Sequence, residues 1–314
     1  MAEARAPRVV VVGSVHMDLI ATADRLPGRG ESVSGGTFAM APGGKAGNQA
    51  CQFALAGAAT QIVTRLGDDA FGRVLRDALS ERGVDTSLIT MDPDAPTGAS
   101  TVFAAEGDYT SIIAPGAAGR LSAEDVRRAR SAIEAADALI IQLEIPVGIS
   151  ALAAEIAIGA GRTVVLNASP APEGWANIPE ALRRATTVLV VNRVEAGRLT
   201  GVSISDDAGS VAAQVANETG IAIVLLTLGA EGVVGYADGE TVRQPAFSAE
   251  LVDTVGAGDA FLGTAVVALL DGRPLADALR RGAAAGAIAV SRCGVYGALP
   301  DREQIDAFLA RQPG

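Results

Sequence analysis

Asp253-Thr254-Val255-Gly256-Ala257-Gly258-Asp259-Ala260-Phe261 is the stretch of this chain best equipped for chemistry. An apolar run to Asp271-Gly272 follows, so Asp259 opens a helix. Backbone amides exposed at such a glycine turn, added to the positive end of the helix dipole, cradle anionic oxygen. A carboxylate beside them can take a proton from an attacking hydroxyl. Cradle and base are the minimum equipment for moving a phosphoryl group from a nucleotide to an alcohol. The same letters also read as an ordinary glycine turn with an aspartate capping a helix. Alone, the stretch leaves both readings open.

Short β-branched runs alternate with longer alanine-rich segments. Strands are expected at 8–12, 61–66, 138–142, 163–166, 187–191 and 222–227, and helices at 46–56, 70–82, 123–135, 149–159, 195–201 and 208–219. Residues 233–236 and 240–243 read as antiparallel additions, and 170–179 as a loop. The alternation predicts an α/β fold: a doubly wound, mostly parallel sheet flanked by helices. Gly13 and Ser14, Glu144, Asn167, Asn192 and Gly229 follow successive strands. Ligands of such sheets bind outside the carboxyl ends of the strands. A strand must end in something polar, which explains one of these residues better than all five.

Three segments break the rhythm. Residues 16–24 alternate, with Met17, Leu19, Ala21 and Ala23 on one face and His16, Asp18, Ile20 and Thr22 on the other. Residues 31–40 and 97–113 also read as strands, with Gly107-Asp108 as a hairpin turn. They predict a small β-sheet, inserted as about 16–42 and 97–113 in one domain spanning 1–314, that covers the cleft and excludes water. A small sheet with Met17 and Leu19 exposed is poorly stable alone, so a homodimer through this lid is expected.

Composition narrows the classes. The 314 residues are 49% hydrophobic and 19% charged, which argues against disorder. Formal charge is -11 with no dense Lys/Arg stripe, so a nucleic-acid footprint is absent. No apolar run approaches the roughly 18 residues of a membrane span, and residues 1–12 do not read as a secretory signal. Two cysteines, Cys51 and Cys293, suggest a reducing cytoplasm, and both read as inert packing in small apolar surroundings.

Three segments stand in order at a characteristic spacing: Gly43-Gly44-Lys45-Ala46-Gly47-Asn48-Gln49-Ala50, Asn192-Arg193-Val194-Glu195, and Asp253 through Asp259. From Val9 to about Leu309 the chain thereby resembles the ribokinase-like carbohydrate kinases, the phosphofructokinase-B family. The resemblance implies transfer of the γ-phosphoryl group of ATP to a primary hydroxyl of D-ribose. Another sugar, a ketodeoxy sugar acid or a nucleoside is the near alternative, and a non-catalytic sugar-binding module the distant one. It makes Asp259 the base and the amides of Gly256, Ala257 and Gly258 the cradle. It makes His16, Asp18, Gly43, Gly44, Lys45, Asn48 and Glu144 sugar ligands. Asn192 and Glu195 would organise Mg2+ and phosphate; Thr227, Gly229, Gly232, Gly258 and the region of Ala283 would line the nucleotide. A K+-like ion is implied beside Asp253, Val255, Ala289, Arg292, Gly294 and Ala298, although Ala298 stands where relatives often carry serine. His16 departs from the usual asparagine. Three readings stay open for it: replacement in kind, altered sugar preference, or packing at the lid hinge.

Overall fold

The computed structural model describes residues 5–105, 108–203 and 206–312. In chain order the first half runs β1 (Arg8–Val12), β2 (His16–Thr22), β3 (Thr37–Gly43), α1 (Lys45–Leu55), β4 (Ala59–Val63), β5 (Arg65–Gly67), α2 (Ala70–Glu81), β6 (Thr90–Asp92), β7 (Thr97–Ala105), β8 (Asp108–Gly116), α3 (Ala123–Arg128) and α4 (Arg130–Ala135). The second half runs β9 (Ala138–Ile141), α5 (Val147–Gly159), β10 (Thr163–Asn167), α6 (Glu180–Ala185), β11 (Val188–Asn192), α7 (Arg193–Thr200), α8 (Ala208–Thr219), β12 (Ile223–Thr227), β13 (Val233–Ala237), β14 (Glu240–Gln244), α9 (Ala257–Leu270), α10 (Leu275–Val290) and α11 (Arg302–Leu309).

The main sheet has the order β14-β13-β12-β11-β10-β9-β1-β4. Its strands are parallel from β12 to β4, with β13 and β14 antiparallel at one edge. Its β-branched strands alternate into two cores. Val9, Val11, Ile140, Val165 and Val190 pack under α1, α9 and α10 on one face. Val10, Val12, Leu139, Ile141 and Leu166 pack under α5, α6 and α8 on the other. Burial on both faces is why these strands read as unbroken apolar runs. The expected doubly wound sheet is present.

A second sheet, order β3-β2-β7-β8, stands apart. Gly107, expected in the turn between β7 and β8, lies outside the described residues. The register puts Met17, Leu19 and Ala21 on one face with Phe38, Met40, Phe103 and Ile112. His16 and Asp18 share the opposite face with Ile113.

Three local expectations change. The strand read at 61–66 breaks at Thr64: β4 stays in the main sheet, while β5 leaves to pair with β6. The helix read at 123–135 is two, separated only by Ala129. Cys51 is buried, its thiol pushed up to about 12 by burial, but Cys293 is exposed in the turn that leaves α10.

Where β5 leaves, a charged knot replaces the lost ladder. Arg65 donates to Asp125 at 2.8 Å and Asp92 at 3.1 Å, and Asp125 also accepts from Thr90, Ser122 and Arg128. Burial opposes the charge on Asp125, but these donors outweigh it and hold the carboxyl down at about 2. The ordinary value is about 3.9. Asp125 therefore stabilises the fold above about pH 4, and that contribution is lost as pH falls toward about 2. Asp125→Ala should cost about 3 kcal/mol at neutral pH, as for a broken buried pair. Urea unfolding at pH 7 and pH 3 should show a smaller gap between variant and parent at the lower pH.

Candidate active site

The carboxyl ends of β1, β9, β10, β11 and β12 open into a cleft of about 510 Å³, facing β2 and the start of α9. His16, Asp18, Gly44, Lys45, Asn48, Glu144, Asn192, Glu195, Thr227, Gly256, Gly258 and Asp259 all line it. Ile113, Asn167, Ser169 and Thr254 join them, although sequence reading did not count them as site residues. The polar ends of five strands were the signal for Asn167.

Gly256 caps α9 with φ +81, and a Cβ there would lie 2.9 Å from Val295 Cγ1. Such a backbone favours glycine. Ala257 and Gly258 form the first helical positions, so their amides have no partner within the helix. Asp259 does not cap this helix. Its carboxylate turns toward α1, where Asn48 Nδ2 donates to Oδ2 at 2.9 Å and Gln49 Nε2 to Oδ1 at 2.8 Å. The ordinary capping reading of Asp259 therefore fails. Burial pushes this carboxyl up; the Lys45 ammonium and the two amide donors pull it down without cancelling the effect, and Glu144 adds to the rise. Lys45 answers in kind. Burial opposes its charge, but Asp259, Glu144 and Glu195 hold it above its ordinary value.

Close approach explains the glycine pair. A Cβ on Gly43 would sit 2.2 Å from Asp18 Oδ2, and one on Gly44, at φ +91, 2.7 Å from the Ser14 carbonyl. Gly43 thus seats Asp18 without lining the cleft itself. Glu144 Oε2 accepts from the Ser14 hydroxyl and from the Lys45 amide at 3.1 Å, tying β1, β9 and α1 together. His16 Nε2 lies 3.1 Å from Asp18 Oδ1. His16 is buried at the start of β2, where the lid leaves the core, and its side chain also lines the cleft, which leaves hinge packing and sugar contact both compatible with its position.

Asn192 and Glu195 form a reciprocal cap on α7, each accepting the other's backbone N–H at 2.8 Å. Glu195 thus serves the start of α7, and the cap also fixes both side chains in the cleft wall. Among the described residues no group of three or more acidic, histidine or cysteine side chains could hold a metal ion. The oxygen donors present in the wall, Asn192 and Glu195, are of the kind that meets a hard cation such as Mg2+ through its water shell. Gly229 and Gly232 sit in the turn after Thr227, outside the cleft wall; a Cβ on Gly232 would meet the Gln244 carbonyl at 2.2 Å. Ala283 is buried in the core on α10.

The six residues read as a cation site converge where α10 ends. Asp253 accepts from the amides of Val255 at 3.0 Å and Gly294 at 3.3 Å. The Ala289 carbonyl accepts from the Arg292 amide, and Ala298 O accepts from Arg292 Nη1 at 3.4 Å. The donor set is oxygen only, which suits a hard cation, but the Arg292 guanidinium already occupies one of its carbonyls.

Amides without helical partners beside a buried carboxylate, together on the first turn of α9 in an open cleft, are an arrangement that suits phosphoryl transfer. Residues 6–302 match the model for the pfkB family carbohydrate kinases, and the chain belongs to that family. It is 34% identical to ribokinase of Haemophilus influenzae, over 96% of this chain and 98% of that one. Ribokinase of Mus musculus is also 34% identical, over 98% and 96%. The structure of Arabidopsis thaliana ribokinase complexed with ribose and ATP superposes with a TM-score of 0.88 at 31% identity, over 98% of this chain and 100% of that one.

The two cradle glycines differ in what they tolerate. Gly256→Ala adds a left-handed penalty of roughly 1–2 kcal/mol to the Val295 contact. Gly258 has open space around it. Thermal unfolding should show a clear loss for Gly256→Ala, and Gly258→Ala within about 0.5 kcal/mol of the parent.

Proposed function

We propose that this protein transfers the γ-phosphoryl group of ATP to the primary hydroxyl of D-ribose, giving ribose 5-phosphate. The observation that carries the reading is the Asp259 carboxylate, buried and held by the side-chain amides of Asn48 and Gln49, at the first turn of α9 in the cleft. Similarity to ribokinases along almost the whole chain supports the choice of sugar.

The sugar lies between His16 and Asp18 on one side and Lys45, Asn48 and Glu144 on the other. Carboxylates accept from several hydroxyls at once. Asp259 orients the acceptor hydroxyl and takes its proton as the bond to phosphorus forms and the bond to the ADP oxygen breaks. The amides of Gly256, Ala257 and Gly258 hold the charge on the transferring oxygens. A carboxylate suffices as base because the transition state is loose and the proton leaves late. The segments 16–42 and 97–113 act as a lid on a single kinase domain and keep water from the nucleotide. Thr227 borders the nucleotide from the cleft wall, and a nucleotide reaching beyond that wall would meet the turn of Gly229 and Gly232, with Ala283 buried behind it on α10. Bound Mg2+ would neutralise phosphate charge, with Asn192 and Glu195 holding its water shell. Asp253, Val255, Ala289, Arg292, Gly294 and Ala298 would surround K+ and stiffen the cradle. Equal rates in potassium and in a bulky organic cation would remove that site from the account.

His16 supports a second reading of the sugar alone. It already engages one oxygen of Asp18, which changes the hydroxyl pattern the pair accepts. Met17, expected to be exposed on the lid, is buried and Leu19 packs on the core, so the proposed homodimer rests instead on Phe38, Met40 and Ile112, which are 66%, 57% and 71% exposed. A second copy of the same face would cover them. Met40→Glu should then give monomers in sedimentation at micromolar concentration. The unpaired cysteines suit a reducing cytoplasm, and no helix among the described residues is long and apolar enough to cross a membrane.

ADP release from MgATP decides the reading, measured in potassium buffer with D-ribose beside 2-deoxyribose, hexoses, sugar acids and nucleosides. D-ribose should drive turnover, and Asp259→Asn should lower kcat about 10²- to 10⁴-fold. The base works ionised and its carboxyl is raised by burial, so kcat should fall on acidification at a higher pH than an unperturbed aspartate would give. Turnover with another compound alone keeps the mechanism and moves the substrate. Sugar binding without any turnover leaves the non-catalytic module.

A further inference from the structure

Behind Asp259 the cleft is backed by carboxamides that it does not expose. Gln49, on α1 next to Asn48, is fully buried. Its Nε2 donates to Asp259 Oδ1 at 2.8 Å and to Asn167 Oδ1 at 3.0 Å. Its Oε1 accepts from Gln142 Nε2 at 2.5 Å. Asn167 Nδ2 in turn donates to the Val190 carbonyl at 3.1 Å. That last contact sets the polarity of the whole group. A backbone carbonyl can only accept, so Asn167 must turn its amino group to β11 and its oxygen to Gln49. Gln49 must then present both N–H bonds toward Asn167 and Asp259, and its oxygen toward Gln142. A flipped Gln49 would set oxygen against two oxygens and an amino group against an amino group.

We propose that Gln49 is a positioning residue for phosphoryl transfer: it anchors the inner oxygen of Asp259 and leaves the cleft-side oxygen to meet the acceptor hydroxyl. The inference rests on Asp259 being the base. Oδ1 belongs to Gln49, which does not line the cleft. Oδ2 belongs to Asn48, which does, and whose own Oδ1 is buried without a partner. An incoming hydroxyl can displace the Asn48 contact while the Gln49 contact holds the carboxylate still. Gln49 thereby supplies a fixed dipole in place of water to a carboxylate whose burial disfavours its charge. Losing that donor raises the pH at which Asp259 ionises.

The other charges around Asp259 stay in place when Gln49 changes. Lys45 on α1 and Glu144 after β9 face it across the cleft, His16 and Asp18 line the same cleft from β2, and the buried Tyr296 phenol lies behind it with Cys51.

The test is carboxyl ¹³C NMR of the whole protein carrying ¹³C-labelled aspartate, with the Asp259 signal assigned by Asp259→Asn. The titration midpoint should move to higher pH in Gln49→Met, and further in Gln49→Glu, which sets a second carboxylate against the first. Gln49→Met adds no charge to the core and decides the question if the glutamate chain does not fold. With MgATP and D-ribose, kcat should fall about 10- to 100-fold in Gln49→Met, as for a lost bond to a charged group. The KM for ATP should stay within about twofold, and the acid limb of kcat should shift with the NMR midpoint. An unmoved midpoint in a folded variant overturns the inference whatever the sugar. A fall in kcat without a shift of the acid limb also overturns it, since loosened packing alone would do that. Failure of the parent to phosphorylate D-ribose overturns the proposed reaction instead, while the NMR midpoints still decide the role of Gln49.

Discussion

A carboxylate buried at the wall of the cleft and held by fixed amide dipoles is the constraint on which this structure depends. Burial disfavours the charge of Asp259, and fixed dipoles offset part of that cost. They come from α1, more than two hundred residues earlier in the chain, and the two helices must meet along a polar seam. The seam continues past the site. Gln52, fully buried and one turn beyond Asn48, donates to Thr264 Oγ1 and to the Pro300 carbonyl, both at 3.0 Å. On α9, Gly263 has no room for a Cβ, which would lie 2.7 Å from Gln52 Cγ. A leucine seam would bury more apolar surface, but it could not keep Asp259 charged. Stability and chemistry conflict at this interface, and the residues chosen there serve the chemistry.

The main sheet is what makes the seam affordable in geometry. β1 lies between β9 and β4, so strand ends from both halves of the chain open on one side. Gly13, Gln142 and Asn167 all sit just past those ends. A Cβ on Gly13 would fall 2.2 Å from Gln142 Oε1, so the first strand must end in glycine for Gln142 to reach Gln49. The Ser14–Glu144–Lys45 contacts then pin the amino end of α1 to the same place. Each contact is local to a strand end. Together they set the rotation of α1, and the rotation of α1 sets where Asn48 and Gln49 point.

Much of this was legible in the sequence. Strands buried on both faces give unbroken apolar runs, so the doubly wound sheet and most of its strands are evident, and the alternation at 16–24 separates the cleft face of β2 from its outer face. Of the five strand ends expected to mark the cleft, those at Glu144, Asn167 and Asn192 line it, while Gly13, Ser14 and Gly229 do not. The breaks were harder. Nothing local says that Thr64 leaves the sheet, because the cause is the distant pairing of β5 with β6 and the knot around Arg65. Exposure of Cys293 depends on the turn after α10, not on its glycine-rich neighbours. Gln49 was visible only as a letter in a motif. Its partners lie 93, 118 and 210 residues away, and no periodicity carries contacts of that kind.

Asn192 and Glu195 explain why the functional and the ordinary readings of such motifs are hard to separate. The reciprocal cap satisfies two orphan amides of α7, which is sufficient reason for both residues to be there. The same bonds remove their rotational freedom beside the cleft. A side chain that must order itself on binding gives up part of the binding free energy in doing so. One already ordered by a cap does not. Asp259 is the opposite case: it sits where an acid would favour the dipole of α9, yet makes no cap and turns away to α1. A residue at a helix start that declines the local bond in favour of a distant, buried one has a use beyond the helix. That contrast, which is in the hydrogen bonds and not in the residue types, separates the base we propose from the cap.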